Sequence, residues 1–299
     1  MDVRASYFVC FTSRSGSTLL CEALSSTGVA GRPEEYFNIG QGDDPAKEPP
    51  WKAALLTKPL AEYIPIACEF GTTPNGVFGS KLHLWHLQAM ETGLAGTQEG
   101  DGRLLAERLR EVFPNPRYIW ITRRDKVRQA VSAFKGKQSR AWTSRAAGAK
   151  RPLAFNFPLV EASLRQMVRE EAAWAQFFTD SGIVPYTVIY EDLVRDYEAT
   201  LRGVLDFLDI PLPEGFVFPA PRLRKQADAL SEIWVRRYYE WDRMGHRWRL
   251  AVGLPTVLWS ESLRNAYLMP RVRKVRNVAL GSIRRIVRSS GAASGASGE

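Results

Sequence analysis

The stretch FVCFTSRSGSTLL, residues 8–20, decides the fold. The apolar run at 6–13 is too short for a helix and predicts a buried strand, while the pattern at 15–28 predicts a helix. The small and polar residues 14–18 lie between them, where free backbone N–H groups and the helix dipole favour an anion and Gly16 permits close approach. The stretch therefore predicts an anion-binding junction; the alternative is an ordinary helix cap beside an arginine.

Composition limits the class of protein. With 299 residues, 45% of them hydrophobic and 24% charged, the chain resembles an ordinary globular protein. It has no apolar run of about 18 residues and no secretory leader pattern, so we expect neither a membrane-spanning helix nor a signal peptide. Cys10, Cys21 and Cys68 lack metal-binding spacing, and we expect Cys10 and Cys21 to be buried free thiols in a reducing, cytoplasmic compartment.

The net charge of +9 is largely a property of the C-terminal tail. Residues 270–299 contain seven of the 41 Lys and Arg residues but a single acidic residue. The body is therefore only weakly basic, and it carries none of the common nucleic-acid-binding motifs. We expect no nucleic-acid partner.

Three further strands follow the first, at 75–82, 117–124 and 184–190. Loops are predicted over 29–50 and 136–158. Helical patterns alternate with the strands and cover 51–69, 84–94, 101–112, 125–134, 160–178, 191–210 and 221–244. This order predicts an α/β fold whose central, mostly parallel sheet is flanked by helices.

A second candidate anion site follows the strand at 117–124. In TRRDKVRQAVS, Arg123 and Arg124 stand where the strand ends, and Ser132 lies on the next helix. Ligands of open α/β sheets collect at the carboxyl ends of the strands. Two such sites predict one ligand with two anionic groups, although a solvated basic face is the alternative reading.

The first junction differs from that of a nucleoside triphosphatase. A phosphate-binding loop of that class reads G-x-x-x-x-G-K-[ST], whereas no glycine lies five residues before Gly16 and no lysine follows it. A kinase or nucleotide hydrolase therefore stays a second hypothesis, which predicts magnesium-dependent ATP binding. A non-catalytic protein that binds anions or membranes is the third.

Four segments resemble, in order, the bacterial trehalose sulfotransferase family, whose members use 3′-phosphoadenosine 5′-phosphosulfate (PAPS). They are SRSGSTLLCEALSSTGVAGRPEEYFN, TPNGVFGSKLHLW, RRDKVRQAVS and RKQADALSEIWVRRY, and the resemblance covers residues 5–243. It implies a P-loop-like sulfotransferase fold. It also implies metal-free sulfuryl transfer from PAPS to a hydroxyl of a trehalose-like carbohydrate or a glycolipid.

The resemblance also assigns the residues that bind PAPS. The 5′-phosphosulfate would be held by Arg14, Ser15, Gly16, Ser17 and Thr18. The 3′-phosphate would be held by Arg123 and Ser132, with Arg124 as the alternative to Arg123. A C-terminal segment would close over the nucleotide through Arg224, Lys225 and Gln226.

The reaction requires a base, because the attacking hydroxyl must lose its proton. Glu35 matches the base that the resemblance implies, and His83 with His86 forms a rival pair. We expect two catalytic cations, Arg14 at the leaving phosphate and Lys81 at the acceptor or the sulfonate. Acceptor binding is assigned to Glu35, Tyr36, Lys81 and His83.

The chain is predicted to divide into a sulfotransferase domain at 1–244, an apolar and then basic amphipathic extension at 245–288, and a disordered tail at 289–299. The extension could lie on an anionic membrane surface, which would suit a lipid-linked acceptor and a position at the inner membrane. Its alternative is an extra packed helix. The resemblance also implies a homodimer.

Overall fold

A computed structural model describes residues 2–38, 43–94, 104–139, 153–221 and 228–252, the last with side chains to residue 244. Within these ranges four strands form one parallel sheet in the order β2-β1-β3-β4. The strands are β1 (Ala5–Phe11), β2 (Val77–His83), β3 (Pro116–Thr122) and β4 (Tyr186–Ile189). The predicted α/β fold with a central parallel sheet is confirmed.

The helices of the described ranges cover both faces of the sheet. A single 3₁₀ turn at Pro45–Lys47 accompanies them. They are α1 (Ser17–Ser26), α2 (Pro50–Thr57), α3 (Leu60–Gly71), α4 (Leu84–Leu94), α5 (Leu105–Val112), α6 (Lys126–Ser139), α7 (Phe157–Asp180), α8 (Tyr190–Arg195), α9 (Tyr197–Leu208) and α10 (Ala229–Val252).

Two predicted helices, over 51–69 and 191–210, are each divided in the structure. Lys58 precedes Pro59 and is extended, as the residue before a proline prefers, so α2 ends there and α3 begins beyond it. Asp196 leaves helical geometry, with φ −126° and ψ 64°, and separates α8 from α9.

Predicted helix ends also differ. Helix α6 runs five residues past the predicted end at 134, to Ser139, and so enters the predicted loop. The last helix begins at Ala229 rather than at 221. The sheet lies in the first of two compact units, Met1–Tyr238. The predicted segments beyond residue 252 lie outside the described residues.

The sheet is buried on both faces because successive side chains of a strand point to opposite sides. From β1, Val9 and Phe11 pack with Leu20 of α1 and with α9. Phe8 and Cys10 face the other way, towards α3, α5 and α7. Cys10 and Cys21 are buried free thiols, as predicted.

The carboxyl ends of β1, β2 and β3 lie side by side at one end of the sheet, because Phe11 of β1 is in register with His83 of β2 and Ile121 of β3. Helix α7 is fixed to that edge by Trp174, whose buried indole donates a hydrogen bond from Nε1 to the Phe11 carbonyl over 3.2 Å. The segments that follow β1, β2 and β3 therefore emerge side by side.

Candidate active site

The segment between β1 and α1 turns sharply. Arg14 and Gly16 both have positive φ, 67° and 98°. Gly16 precedes α1, and no side chain caps the helix there, so no side chain occupies its first N–H groups. A Cβ on Gly16 would lie 2.4 Å from Cδ2 of Tyr190, so both the backbone angle and the packing require glycine.

The two predicted anion sites meet. Arg14 donates a hydrogen bond from Nε to Oγ of Ser132 on α6 over 2.9 Å. Arg123, 8% exposed, places its guanidinium 4.5 Å from the centre of the Tyr190 ring. Burial and the nearby charge of Arg123 lower the pKa of Arg14. The Arg14 guanidinium therefore lies beside Ser132 and close enough to Arg123 for the two positive charges to repel, and a bound anion would offset that repulsion.

Arg123 and Arg124 have different surroundings. Arg124 is exposed and pairs with Asp192 through two contacts, one of 2.9 Å from Nη1 to Oδ1. Its backbone N–H donates to Oε2 of Glu191, also over 2.9 Å. Arg123 instead lies beside Arg14, with Nε 3.4 Å from Oε1 of Glu191. Of the two predicted alternatives, the structure thus brings Arg123 to the junction.

Gln129 and Tyr190 belong to this junction, and sequence reasoning did not assign them to the site. Gln129 is fully buried and donates from Nε2 to Oγ1 of Thr12 over 2.9 Å and to the Ser13 carbonyl over 2.8 Å. It lies three residues before Ser132 on α6, hence on the same helix face, and that spacing was an available signal. Tyr190 follows β4 and lies against Gly16.

Glu35 is held at the neighbouring junction. The loop that carries it pairs with β2, since the Glu34 carbonyl accepts hydrogen bonds from the Lys81 backbone N–H at 2.9 Å and from Ser80 Oγ at 3.2 Å. Lys81 Nζ lies 2.8 Å from Oε1 of Glu35 and donates to Oγ1 of Thr18 over 3.3 Å. The Lys81 ammonium therefore connects the carboxylate to the first turn of α1.

The Lys81–Glu35 pair determines the charges here. Burial raises the pKa of Glu35, but the charge and hydrogen bond of Lys81 outweigh burial, and the net pKa lies below the ordinary 4.5. Burial lowers the pKa of Lys81, but Glu35 outweighs it and the net pKa is raised. Both groups are thus charged at neutral pH, although Glu35 is a weak base while Lys81 stays paired with it.

The rival bases are buried and neutral. Burial lowers the pKa of His83 to about 4 and of His86 to about 3. Nδ1 of His86 accepts a hydrogen bond from the His83 backbone N–H over 3.1 Å, so the His86 proton is on Nε2, 4.0 Å from Oε2 of Glu35. His83 Nε2 faces Glu170 at 3.5 Å. Both imidazoles are therefore uncharged at neutral pH and are weaker bases than an ordinary histidine.

Not every predicted residue reaches the site. Tyr36 is 3% exposed in the core, where its hydroxyl donates to the Arg32 carbonyl over 2.9 Å and its ring contacts Trp51 and Phe78. The structure therefore keeps Tyr36 away from an acceptor. Ser15, Ser17 and Thr18 lie at the junction, whereas residues 224–226 are outside the described residues.

Among the residues that the structure describes, no group of three or more His, Cys, Asp or Glu side chains is arranged to hold a metal ion. In the same ranges no helix combines the length and apolar character needed to cross a bilayer.

The chain belongs to the Stf0 sulphotransferase family, whose model matches residues 6–241. It is therefore a sulfotransferase, as the sequence resemblance predicted. Its relatives include two proteins named trehalose 2-sulfotransferase. That of Mycobacterium tuberculosis (strain ATCC 35801 / TMC 107 / Erdman) is 31% identical over 255 residues, which are 78% of this chain and 93% of the relative. That of Mycolicibacterium smegmatis is 33% identical over 260 residues, 79% and 95% of the two chains.

Solved structures show a weaker similarity. The sulfotransferase domain from the curacin biosynthetic pathway is 14% identical with a TM-score of 0.47 and covers 77% of this chain and 83% of its own. A sulfotransferase from Alicyclobacillus acidocaldarius is 16% identical with a TM-score of 0.46, and the match covers 86% of this chain and 99% of that protein. The family assignment rests on the sequence matches.

Replacing Lys81 by Met should raise the pKa of Glu35 above 4.5, because burial then acts without the opposing ammonium. NMR titration of isotope-labelled glutamate carboxyls measures the shift. Lys126→Met is the matched control, since Lys126 pairs with Glu171 instead. An unchanged Glu35 pKa in Lys81→Met would contradict the conclusion that Lys81 lowers the pKa of Glu35.

The same variant tests the pH dependence of stability. Because the folded-state pKa of Glu35 is lowered, the pair stabilises the fold above the ordinary pKa of 4.5, and this contribution disappears as the pH falls through the lowered value. The difference in free energy of unfolding between wild type and Lys81→Met should therefore shrink on acidification.

Proposed function

We propose that this sulfotransferase moves a sulfuryl group from PAPS to a hydroxyl of a small carbohydrate. The hydrogen bond from Arg14 to Ser132 carries the proposal, because it joins the two predicted anion sites, with Arg123 beside them. PAPS has a phosphosulfate at the 5′ position and a phosphate at the 3′ position of one nucleoside. A donor with two anionic groups fits two adjoining cationic junctions.

The 5′-phosphosulfate is assigned to residues 14–18. The uncapped start of α1, the hydroxyls of Ser17 and Thr18 and the Arg14 guanidinium are suited to phosphate and sulfonate oxygens. The buried Oγ of Ser15 has no hydrogen-bond partner within the described residues and fits the same role.

The 3′-phosphate is assigned to Arg123 and Ser132. Arg124 is excluded from that role in the proposal, because its guanidinium is already paired with Asp192 at the surface. Closure by Arg224, Lys225 and Gln226 stays a prediction.

Transfer proceeds by attack of the acceptor oxygen on sulfur. The new O–S bond forms as the bond from sulfur to the bridging phosphate oxygen breaks, and its electron pair leaves with 3′-phosphoadenosine 5′-phosphate (PAP). The acceptor proton passes to Glu35. Arg14 and the α1 N–H groups stabilise the charge that grows on the leaving phosphate, and no metal is required.

Lys81 couples the donor to the base. Its ammonium contacts both Glu35 and Thr18. An anionic donor at residues 14–18 would attract Lys81 away from the carboxylate, and the pKa of Glu35 would then rise, because burial alone raises it. Glu35 becomes a competent base when the donor is bound.

The acceptor is proposed from the relatives. Both are named trehalose 2-sulfotransferases, and each aligns with more than three quarters of this chain. Trehalose or a similar carbohydrate is the proposed acceptor, with a glycolipid as the lipid-linked alternative. A homodimer, a cytoplasmic location and membrane contact by the tail stay predictions.

Incubation with PAPS and trehalose, without added metal, should yield sulfated trehalose and PAP by mass spectrometry. Glu35→Gln should lower kcat about 10²–10⁴-fold, because the base is lost. Its affinity for PAP, measured by calorimetry, should be unchanged. Glu34→Gln is the matched control, since Glu34 is exposed and makes its hydrogen bonds to Lys81 and Ser80 through its backbone carbonyl. Wild-type turnover in Glu35→Gln would place the base elsewhere.

Arg123 and Arg124 form a matched pair for donor binding. Arg123→Ala should raise the Kd for PAP about 10–150-fold, the effect of losing a charged hydrogen bond of about 1.5–3 kcal/mol. Arg124→Ala should change it less than about twofold, since Arg124 forms a surface ion pair. The reverse order of effects would contradict the assignment of the 3′-phosphate.

A further inference from the structure

Trp85 is a large aromatic side chain left exposed beside buried histidines. It follows β2 at the start of α4, and its exposed fraction is 54%, whereas His83 and His86 are 7% and 2% exposed. Its indole is stacked on the His86 ring, with centroids 5.7 Å apart and an interplanar angle of 21°. It also contacts His83, at 5.2 Å and 59°. The histidines thus cover part of the indole, and about half of the residue stays open to solvent.

His86 connects this indole to the proposed base. Nε2 of His86 lies 4.0 Å from Oε2 of Glu35, and the same imidazole is stacked on Trp85. The indole is therefore one imidazole ring away from Glu35. Both groups lie at the edge of the sheet where β2 ends, which is the edge that carries Lys81 and Thr18.

Exposure of an indole at this place favours a carbohydrate ligand. The face of an indole is apolar with negative π density, and it suits the C–H face of a sugar ring, whose hydroxyls point outward to polar groups. Because the His86 imidazole lies between Glu35 and the indole, we expect a sugar ring whose hydroxyl is at Glu35 to leave the indole to the second ring of a disaccharide.

We propose that Trp85 is the stacking platform for the second sugar ring of a disaccharide acceptor, whose first ring presents its hydroxyl to Glu35. Trp85 then determines acceptor size, and His86, fixed by the His83 backbone, separates the two ring positions. The assignment of the first ring to Glu35 rests on the proposed function.

The alternative role for Trp85 is structural, as a cover over His86 that keeps Glu35 in position. The two roles give different kinetics. A stacking platform acts on acceptor binding and only on acceptors with a second ring. A cover acts on Glu35, so its loss lowers kcat for every acceptor.

The test uses Trp85→Ala and Trp85→Phe, with Phe70→Ala as a control. Phe70, 37% exposed, ends α3 near the start of β2, at the opposite end of that strand. Trehalose KM and kcat are measured with saturating PAPS, and trehalose Kd is measured calorimetrically with PAP bound. Glucose serves as the one-ring acceptor.

Trp85→Ala should raise the KM and Kd for trehalose about tenfold, the scale of one lost aromatic stack, while kcat stays within about twofold. Trp85→Phe should raise the KM and Kd for trehalose less than Trp85→Ala does, because a smaller aromatic ring remains. Trp85→Ala should leave the kcat/KM for glucose and the Kd for PAP close to the wild-type values. Phe70→Ala should match the wild type in all of these measurements.

An unchanged trehalose Kd in Trp85→Ala overturns the proposal, and so does a fall in kcat with unchanged KM. Equal losses for trehalose and glucose also overturn it. If wild type binds trehalose through Trp85 but transfers no sulfuryl group, the proposed function fails and the stacking role stands. If wild type sulfates trehalose and Trp85→Ala does so equally well, only the stacking role fails. If the wild type binds no trehalose, the stacking role of Trp85 is wrong.

Discussion

The hydrogen bond from Arg14 to Ser132 ties together two chain segments that are 118 residues apart, and the rest of the site depends on it. It forms because β1 and β3 are parallel neighbours in register, so that both β–α junctions emerge at one edge. The positive φ of Gly16 and its contact with Tyr190 set the turn that directs Arg14 towards α6. Without this meeting of junctions, two separate anion sites would remain, and neither would define a donor with two anionic groups.

A second contact links the proposed donor junction to the proposed base. The Lys81 ammonium reaches both the first turn of α1, through Thr18, and the carboxylate of Glu35. The pKa of Glu35 is therefore set by a lysine that also lies within reach of the donor site. In the proposed mechanism, this arrangement keeps Glu35 a weak base until a bound anion competes for Lys81.

Much of the fold could be predicted from the sequence, because strands of a doubly covered parallel sheet are continuous apolar runs. The long-range contacts that give adjacent residues different surroundings could not be predicted from the sequence. Arg123 and Arg124 occupy the same strand end, and their difference depends on Asp192, 68 residues later in the chain. The spacing of Gln129 from Ser132 indicated a shared helix face, but its hydrogen-bond partners Thr12 and Ser13 lie on another segment and could not be predicted. Tyr36 was predicted at the acceptor, but its hydroxyl finds a backbone carbonyl in the core.

The most direct test of the account is calorimetric titration of the full chain with PAP and with ATP, in the absence of metal. Two junctions that hold a nucleotide by its 3′ and 5′ groups should bind PAP at micromolar concentrations and prefer it clearly to ATP, which has no 3′-phosphate. No heat with PAP, or a preference for ATP, would contradict the claim that Arg14, Ser132 and Arg123 form one site for a donor with two anionic groups.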